Sequence, residues 1–297
     1  DFMSLPDISF VHLGLEIPHI SKSFSIFGFS IAYYGVIVGL GFFIGICLAC
    51  WIAKKENVSL DLMTDFAIWT IFAAIIGARA YYVIFAWEDY KDNLIQIFNL
   101  RAGGLAIYGG IIAVVCMMIL FCKKRKVSIG KIGDCAVFGL VAGQIIGRWG
   151  NFVNCEAFGG YTDNLFAMQI RRDLVNPNMI SPELAQHFAE NPIIKEGIEY
   201  IQVHPTFLYE SVWNLGVLIL LLIVRKYKKF DGQMMCLYFI GYGIGRFWIE
   251  GLRTDQLKLF GTQIAVSQLL SAVLIVSALV VLIVNFWKKN SNPKANS

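Results

Sequence analysis

The sequence predicts an all-α polytopic membrane protein: seven transmembrane helices with a small extracytoplasmic head. Three observations carry this expectation. The 297 residues are 57% hydrophobic and only 15% charged, against about 25% charged for a soluble domain. Seven apolar runs approach the roughly 20 residues a spanning helix needs. Basic residues cluster in alternate connections between those runs.

In chain order, residues 1–30 are mixed and amphipathic, and are read as an N-terminal arm lying at the membrane surface. They lack a basic n-region and contain Pro6 and Pro18, so no signal peptide is expected here. Residues 31–153 hold four predicted spans, Ile31–Ala53, Met63–Trp87, Gly104–Cys122 and Ile132–Phe152. Residues 154–204 are mostly polar and form the head, with one clear helix start at Ser181-Pro182-Glu183. Residues 205–297 hold the last three spans, Pro205–Val224, Gln233–Leu252 and Ile264–Trp287, and a cytoplasmic tail. Fourteen Lys and Arg fall in the connections after spans one, three, five and seven, and eight in the opposite segments. The positive-inside rule then places the N-terminus outside and the C-terminus in the cytoplasm.

The net charge of +4 reflects this sidedness, and no basic–aromatic pattern points to nucleic acid. The seven cysteines lie mainly in apolar runs without CxxC pairing, as small buried hydrophobes do. There is no HExxH, Walker A or GxSxG pattern, and neither metal nor cofactor is expected.

The first and third spans and the last carry no charge, whereas the others contain Asp65 and Arg79, Asp134 and Arg148, Glu210, and Arg246 and Glu250. Intramembrane charges need partners and mark functional sites. Span four ends in Gly147–Gly160, GRWGNFVNCEAFGG, where Arg148 is followed by Asn151 on the same face and then by Asn154 and Glu156. Near its helix end, Arg148 could snorkel to the interface; the polar residues after it favour an anion site. Gly139, Gly143 and Gly147 form a small-xxx-small ridge for a neighbouring helix, and Gly35 and Gly39 invite the same reading. In span six, Tyr242, Arg246 and Glu250 share one face, extended by Arg253. Glu250 can pair with Arg246 at i,i+4, leaving guanidinium forks for phosphate oxygens. Two arginines in one leaflet suit a phospholipid headgroup.

Tyr34 opens span one, as a belt residue or a site residue. Tyr108 stands among Gly103, Gly104, Gly109 and Gly110, where glycines admit helix packing or a ligand near its hydroxyl. Arg79 is read as a helix-end or ion-pair residue. His204-Pro205 opens span five ahead of Tyr209 and Glu210, with His204 a hinge neighbour, a base or a positioning group.

The segment 147–160 resembles the signature of the prolipoprotein diacylglyceryl transferases, bacterial membrane enzymes. Further segments match in the same order: Ala32-Tyr33-Tyr34-Gly35, Arg101-Ala102-Gly103-Gly104 to Gly109-Gly110, His204-Pro205 with Leu208-Tyr209-Glu210, and Tyr242–Phe247 with Glu250 and Arg253. The resemblance implies transfer of diacylglycerol from phosphatidylglycerol to the lipobox cysteine of a preprolipoprotein, in the bacterial plasma membrane. It implies Arg148 and Arg246 as phosphate-binding residues, with Tyr34, Asn151, Asn154, Gly159, Tyr242 and Glu250 at important positions. Many members carry a histidine at the position of Tyr108. The proton acceptor therefore stays open between Tyr108, His204, a bound water and the departing phosphate.

The residues alone also admit a lipid or anion transporter built on the same arginines, although no internal repeat accompanies them. An intramembrane hydrolase would need a metal-ligand or nucleophile pattern that the sequence lacks.

Overall fold

A computed structural model describes residues 5–100, 103–259, 262 and 264–291. Arg101 and Ala102, and Lys294 of the tail, lie outside the described residues. The chain divides into two compact units, residues 1–45 with 137–297, and residues 46–136.

Seven helices of 19 or more residues appear among the described residues: α1 (Tyr33–Lys55), α2 (Leu60–Phe85), α3 (Ile107–Arg125), α4 (Ile129–Asn154), α6 (Thr206–Val224), α7 (Gln233–Leu252) and α8 (Val266–Ser291). Six are long and apolar enough to cross a membrane; the exception is α7, which carries Arg246 and Glu250. Large apolar side chains such as Trp69, Phe72, Ile76, Val276 and Ile283 stand exposed along α2 and α8. Bands of this kind face lipid, since water-soluble surfaces rarely expose them contiguously. The protein is a mostly helical, multi-pass membrane protein.

The all-α expectation needs correcting. A five-stranded antiparallel sheet runs in the order β2-β1-β5-β7-β6, from β1 (Ile8–Phe10), β2 (Leu15–Ile17), β5 (Met168–Arg171), β6 (Ile193–Lys195) and β7 (Ile198–Val203). Residues 1–30 and 154–204, read from sequence as separate segments, thus share one sheet: Ile8 faces Ile170 and Phe10 faces Met168. The short helix α5 (Pro182–Glu190) starts where expected, with the Ser181 hydroxyl accepting from Leu184 N at 3.2 Å. It buries Leu184 and Phe188 against Ile8, Ile170, Ile201 and Val203. A second hairpin, β3 (Ser23–Ile26) and β4 (Phe29–Ala32), runs directly into α1. Its two-residue turn, Phe27-Gly28, has both φ values positive, as a type I′ turn requires.

Close helix contacts use glycine, though not all the expected ones. In the first unit a Cβ on Gly45 would lie 2.6 Å from the Gly139 carbonyl oxygen, and one on Gly41 3.3 Å from that of Gly143. Gly35, Gly39 and Gly147 have open space beside them. The partner ridge on α1 is therefore shifted by six residues from the sequence reading. In the same unit, Gly245 of α7 admits the Trp213 indole of α6, and Gly243 admits Ile275 of α8.

In the second unit, Gly77 of α2 meets Ala113 and Gly109 of α3, while Gly109 and Gly110 lie against α2. The glycines beside Tyr108 are thus accounted for by helix packing. Arg79 is buried and holds the connection between α2 and α3 through five backbone carbonyls. Nε donates to Ile97 at 2.7 Å, Nη1 to Gly103 and Gly104 at 2.7 and 2.9 Å, and Nη2 to Gln96 and Asn99 at 2.7 and 3.2 Å. A Cβ on Gly104 would collide with this guanidinium. Asp65, the other charge expected in this span, pairs with Arg125.

Candidate functional site

The site is assembled where α4 ends, α6 begins and α7 ends, all within the first unit. Helix α4 stops at Asn154 in a Schellman arrangement: Cys155 N donates to Phe152 O and Glu156 N to Asn151 O, each at 3.0 Å. The position that usually takes glycine is Cys155, with φ of 54°, and Ala157 repeats the left-handed conformation at 57°. Left-handed non-glycine residues cost about 1–2 kcal/mol each. Such strain persists only where neighbours over-determine it. The neighbours here are a zipper of backbone bonds. Gly159 N donates to His204 O at 3.0 Å, His204 N to Gly160 O at 3.0 Å and Gly160 N to Leu252 O at 2.9 Å. The Thr206 hydroxyl donates to the Ala157 carbonyl. A Cβ on Gly159 would sit 2.8 Å from both the His204 Cβ and the Leu252 carbonyl oxygen, so this position admits no side chain.

The sharp turn folds Glu156 back over the end of α4. Its Oε1 accepts from Asn151 Nδ2 at 2.9 Å and from Asn154 Nδ2 at 3.4 Å, and Asn151 Oδ1 accepts from Arg148 Nη1 at 3.3 Å. Glu156 therefore fixes both asparagines, and Asn151 steers one edge of the Arg148 guanidinium. Tyr34, in the first turn of α1, lies against Gly150, where a Cβ would come 2.8 Å from its ring.

The other edge of Arg148 meets a residue the sequence reading left out of the site. Glu210 of α6 is 2% exposed and stands between the two arginines. Its Oε1 lies 2.7 Å from Arg148 Nη2, and its Oε2 accepts from Arg246 Nη1 at 3.1 Å. The first contact is close without hydrogen-bond alignment. Arg246 Nη2 lies 2.5 Å from Glu250 Oε2, so the expected i,i+4 pair forms. The signal for Glu210 was present: it is the sole charge of span five, and a buried carboxylate requires a cation. Two guanidiniums and two carboxylates leave the cluster formally neutral. Each guanidinium meets two polar side chains among the described residues, and each has five N–H donors. Donors therefore remain for a further anion. Tyr242 stacks on Tyr238 with centroids 5.6 Å apart and planes inclined by 15°, one turn from Arg246.

His204 lies beside this cluster in the chain but faces elsewhere. Its Nδ1 is 3.3 Å from the Tyr209 hydroxyl and 3.5 Å from Asn164 Nδ2. Burial lowers its pKa below the ordinary imidazole value, which keeps it neutral and able to accept a proton at neutral pH. Cys155, the signature thiol, is pushed up to about 11, chiefly by burial, and is a protonated structural residue. Arg253 forks onto Asp255 at 2.9 and 2.7 Å instead of extending the cluster. Tyr108 stands in the first turn of α3 and belongs to the second unit. No three His, Cys, Asp or Glu side chains converge as metal ligands among the described residues.

Comparison with known proteins bears on this arrangement. Residues 21–284 match the family model for prolipoprotein diacylglyceryl transferase. A protein of Finegoldia magna, named phosphatidylglycerol–prolipoprotein diacylglyceryl transferase, is 41% identical over 259 residues, covering 87% of this chain and 92% of its own. Proteins of the same name from Clostridioides difficile and Bacillus cereus are similar at 37% over 270 residues and 41% over 256. They cover 91% and 86% of this chain, and 96% and 88% of their own lengths.

Proposed function

The chain belongs to the prolipoprotein diacylglyceryl transferase family, and we propose that it moves diacylglycerol from phosphatidylglycerol to the cysteine thiol of a lipobox peptide, forming a thioether. The observation that carries the site assignment is the convergence of Arg148 and Arg246, from two helices, on the single carboxylate of Glu210. Their remaining N–H donors serve the lipid phosphate in a setting where little water competes.

In this reaction the thiol sulfur attacks the glycerol carbon bonded to the phosphodiester oxygen. The C–S bond forms as the C–O bond breaks, and the electron pair leaves with glycerol phosphate. Negative charge grows on the phosphate, so donors aimed there stabilise the transition state more than the ground state. Arg148 and Arg246 fill that role. Before the lipid binds, Glu250 and Glu210 hold the two forks, and Asn151, fixed by Glu156, orients Arg148. Asn154, Tyr34 and Tyr242 wall the headgroup pocket, and Gly159 keeps the three helix ends together. A thiol near neutral pH is already partly thiolate. His204, Tyr108, water and the phosphate dianion are the candidate acceptors for its proton.

We read all seven long helices as spans, with α7 as the one made less apolar by the site it carries. The sheet and α5 then form a head outside the bacterial plasma membrane. The basic connections and the C-terminus lie in the cytoplasm.

The test is incubation of the purified protein in phosphatidylglycerol vesicles with a lipobox peptide and lipid labelled in its acyl chains. Label should appear on the peptide, and not on the same peptide with serine for cysteine. Free diacylglycerol without labelled peptide would indicate hydrolysis, and lipid movement without covalent product would indicate transport.

A further inference from the structure

One turn beyond Glu210 on α6, the buried stripe Glu210, Asn214, Val217 and Leu221 continues with a residue whose polar atoms are unused. Asn214 is 0% exposed, and neither its Oδ1 nor its Nδ2 has a hydrogen-bond partner among the described residues. Its neighbours on α6 are satisfied: the Ser211 hydroxyl donates to Ile145 O at 3.0 Å, and Trp213 Nε1 donates to Gly241 O at 2.8 Å. On α4, Gln144 stands one turn from Arg148 and donates through Nε2 to the Tyr238 hydroxyl at 2.8 Å, while its Oε1 is also buried with no partner among the described residues. An amide left free inside a membrane helix is unfavourable, and a state of the protein that pairs it recovers that cost.

Anion binding creates that state. Arg148 and Arg246 are both engaged by Glu210. A phosphate that draws their N–H groups toward itself strips donors from this buried carboxylate. The next donor on the same helix face is Asn214 Nδ2, because side chains at i and i+4 are neighbours, with Cβ atoms about 5–6 Å apart. We propose that Asn214 is a positioning residue that takes over the Glu210 carboxylate when Arg148 and Arg246 turn to the bound anion. This rests on the reading of the two arginines as the phosphate site. Asn214 touches no reacting atom; it acts by giving Glu210 a second partner, so that the arginines are released without leaving a bare buried charge.

The test compares the full-length protein with Asn214→Leu, a change of similar volume that removes the amide, in phosphatidylglycerol vesicles. KM for phosphatidylglycerol should rise roughly 10- to 100-fold, the range expected for a hydrogen bond to a charged group. The kcat at saturating lipid and KM for the peptide should change by less than about twofold, the pattern of lost uniform binding. Thermal stability without lipid should hold or rise, because an unpaired polar group has been removed; a merely structural asparagine would lower it. In a Glu210→Gln background the same change should leave KM for lipid where Glu210→Gln sets it, since the two residues act as one unit. An unaltered KM for lipid in Asn214→Leu, or full additivity with Glu210→Gln, overturns the proposal. Arg148→Ala and Arg246→Ala run in parallel separate the two readings. If they keep wild-type KM for lipid and kcat, the phosphate site itself is wrong. If they lose activity while Asn214→Leu matches wild type, only the role of Asn214 falls.

Discussion

Each unit sets arginine among its helices, buried at Arg79 and half-buried at Arg148 and Arg246, and they use it in opposite ways. Arg79 donates to five carbonyls of the 96–104 connection, with Tyr90 5.1 Å away beneath its plane. Every direction of the fork is used, and the partners are backbone. Arg148 and Arg246 meet carboxylates and one amide, and retain donors. Charge alone does not tell the two kinds of arginine apart. What separates them is whether the donors are exhausted, and whether the partners are side chains that can shift or backbone that cannot.

That contrast is open to direct test. The largest effect is expected at the arginine pair. Arg148→Ala or Arg246→Ala should lower transferase activity by about 10²–10³-fold or more, the loss typical of one donor to a developing oxyanion. Lysine at either position should restore little, because a point charge does not reproduce the fork. Arg79→Ala should act on stability instead. Five carbonyls lose a donor, and each one left buried costs about 1–3 kcal/mol, so a total above about 3 kcal/mol is expected. The readouts are a lower thermal midpoint and faster proteolysis between residues 87 and 104. Arg79→Lys, with three donors, should rescue only part. If Arg148→Ala lowers the thermal midpoint as much as Arg79→Ala, the distinction between the two kinds of arginine collapses.

A smaller effect is expected at the zipper that holds the α4 turn. Gly159→Ala places a methyl against a backbone carbonyl that cannot move aside, and should cost about 1–3 kcal/mol, the usual penalty for overpacking. Its thermal midpoint and activity should fall together. The smallest effect is a pH dependence. Burial disfavours the protonated form of His204 in the folded state, whereas an unfolded histidine protonates near about pH 6.5. The unfolded chain therefore takes up the proton first, and stability declines as pH falls below that value, until the folded-state pKa is passed. Thermal midpoints between pH 8 and 5 should drop more steeply in wild type than in His204→Gln.

The sequence carried much of this and concealed particular parts. The helices were legible from long apolar runs, and the α5 start from Ser181-Pro182, because both signals are local. The sheet was not. Its strands are three to six residues long, too short for alternation to stand out from a polar loop. β1 and β5 are also separated by just over half the chain, a pairing that no local signal encodes. Arg148, Arg246 and the Arg246–Glu250 pair were legible because an intramembrane charge is rare and i,i+4 spacing fixes a face. Glu210 was visible as a lone charge, yet its bridging place depended on how three helix ends meet. The glycines around Tyr108 left helix packing and a nearby ligand both open, and Gly109 and Gly110 pack α2 against α3. Nor does spacing show which glycines on α1 face α4: Gly35 and Gly39 share their i,i+4 spacing with Gly41 and Gly45, yet six residues turn the helix by about 240° and put the two pairs on different faces.

The placement of β1 inside the sheet also sets a timetable for synthesis. Ile8–Phe10 has only β2 beside it until Met168–Arg171 exists, about 160 residues later. Chains grow at about 5–20 residues per second, so that wait is roughly 8–30 s. A lone two-stranded hairpin is marginal in water. During that interval four long helices are made while an unclosed strand edge stands ready to join whatever extended chain is nearest. A strand made before any of the long helices is thus locked only after four of them. Conditions that slow elongation should lengthen its exposure to proteases and chaperones without altering the finished molecule.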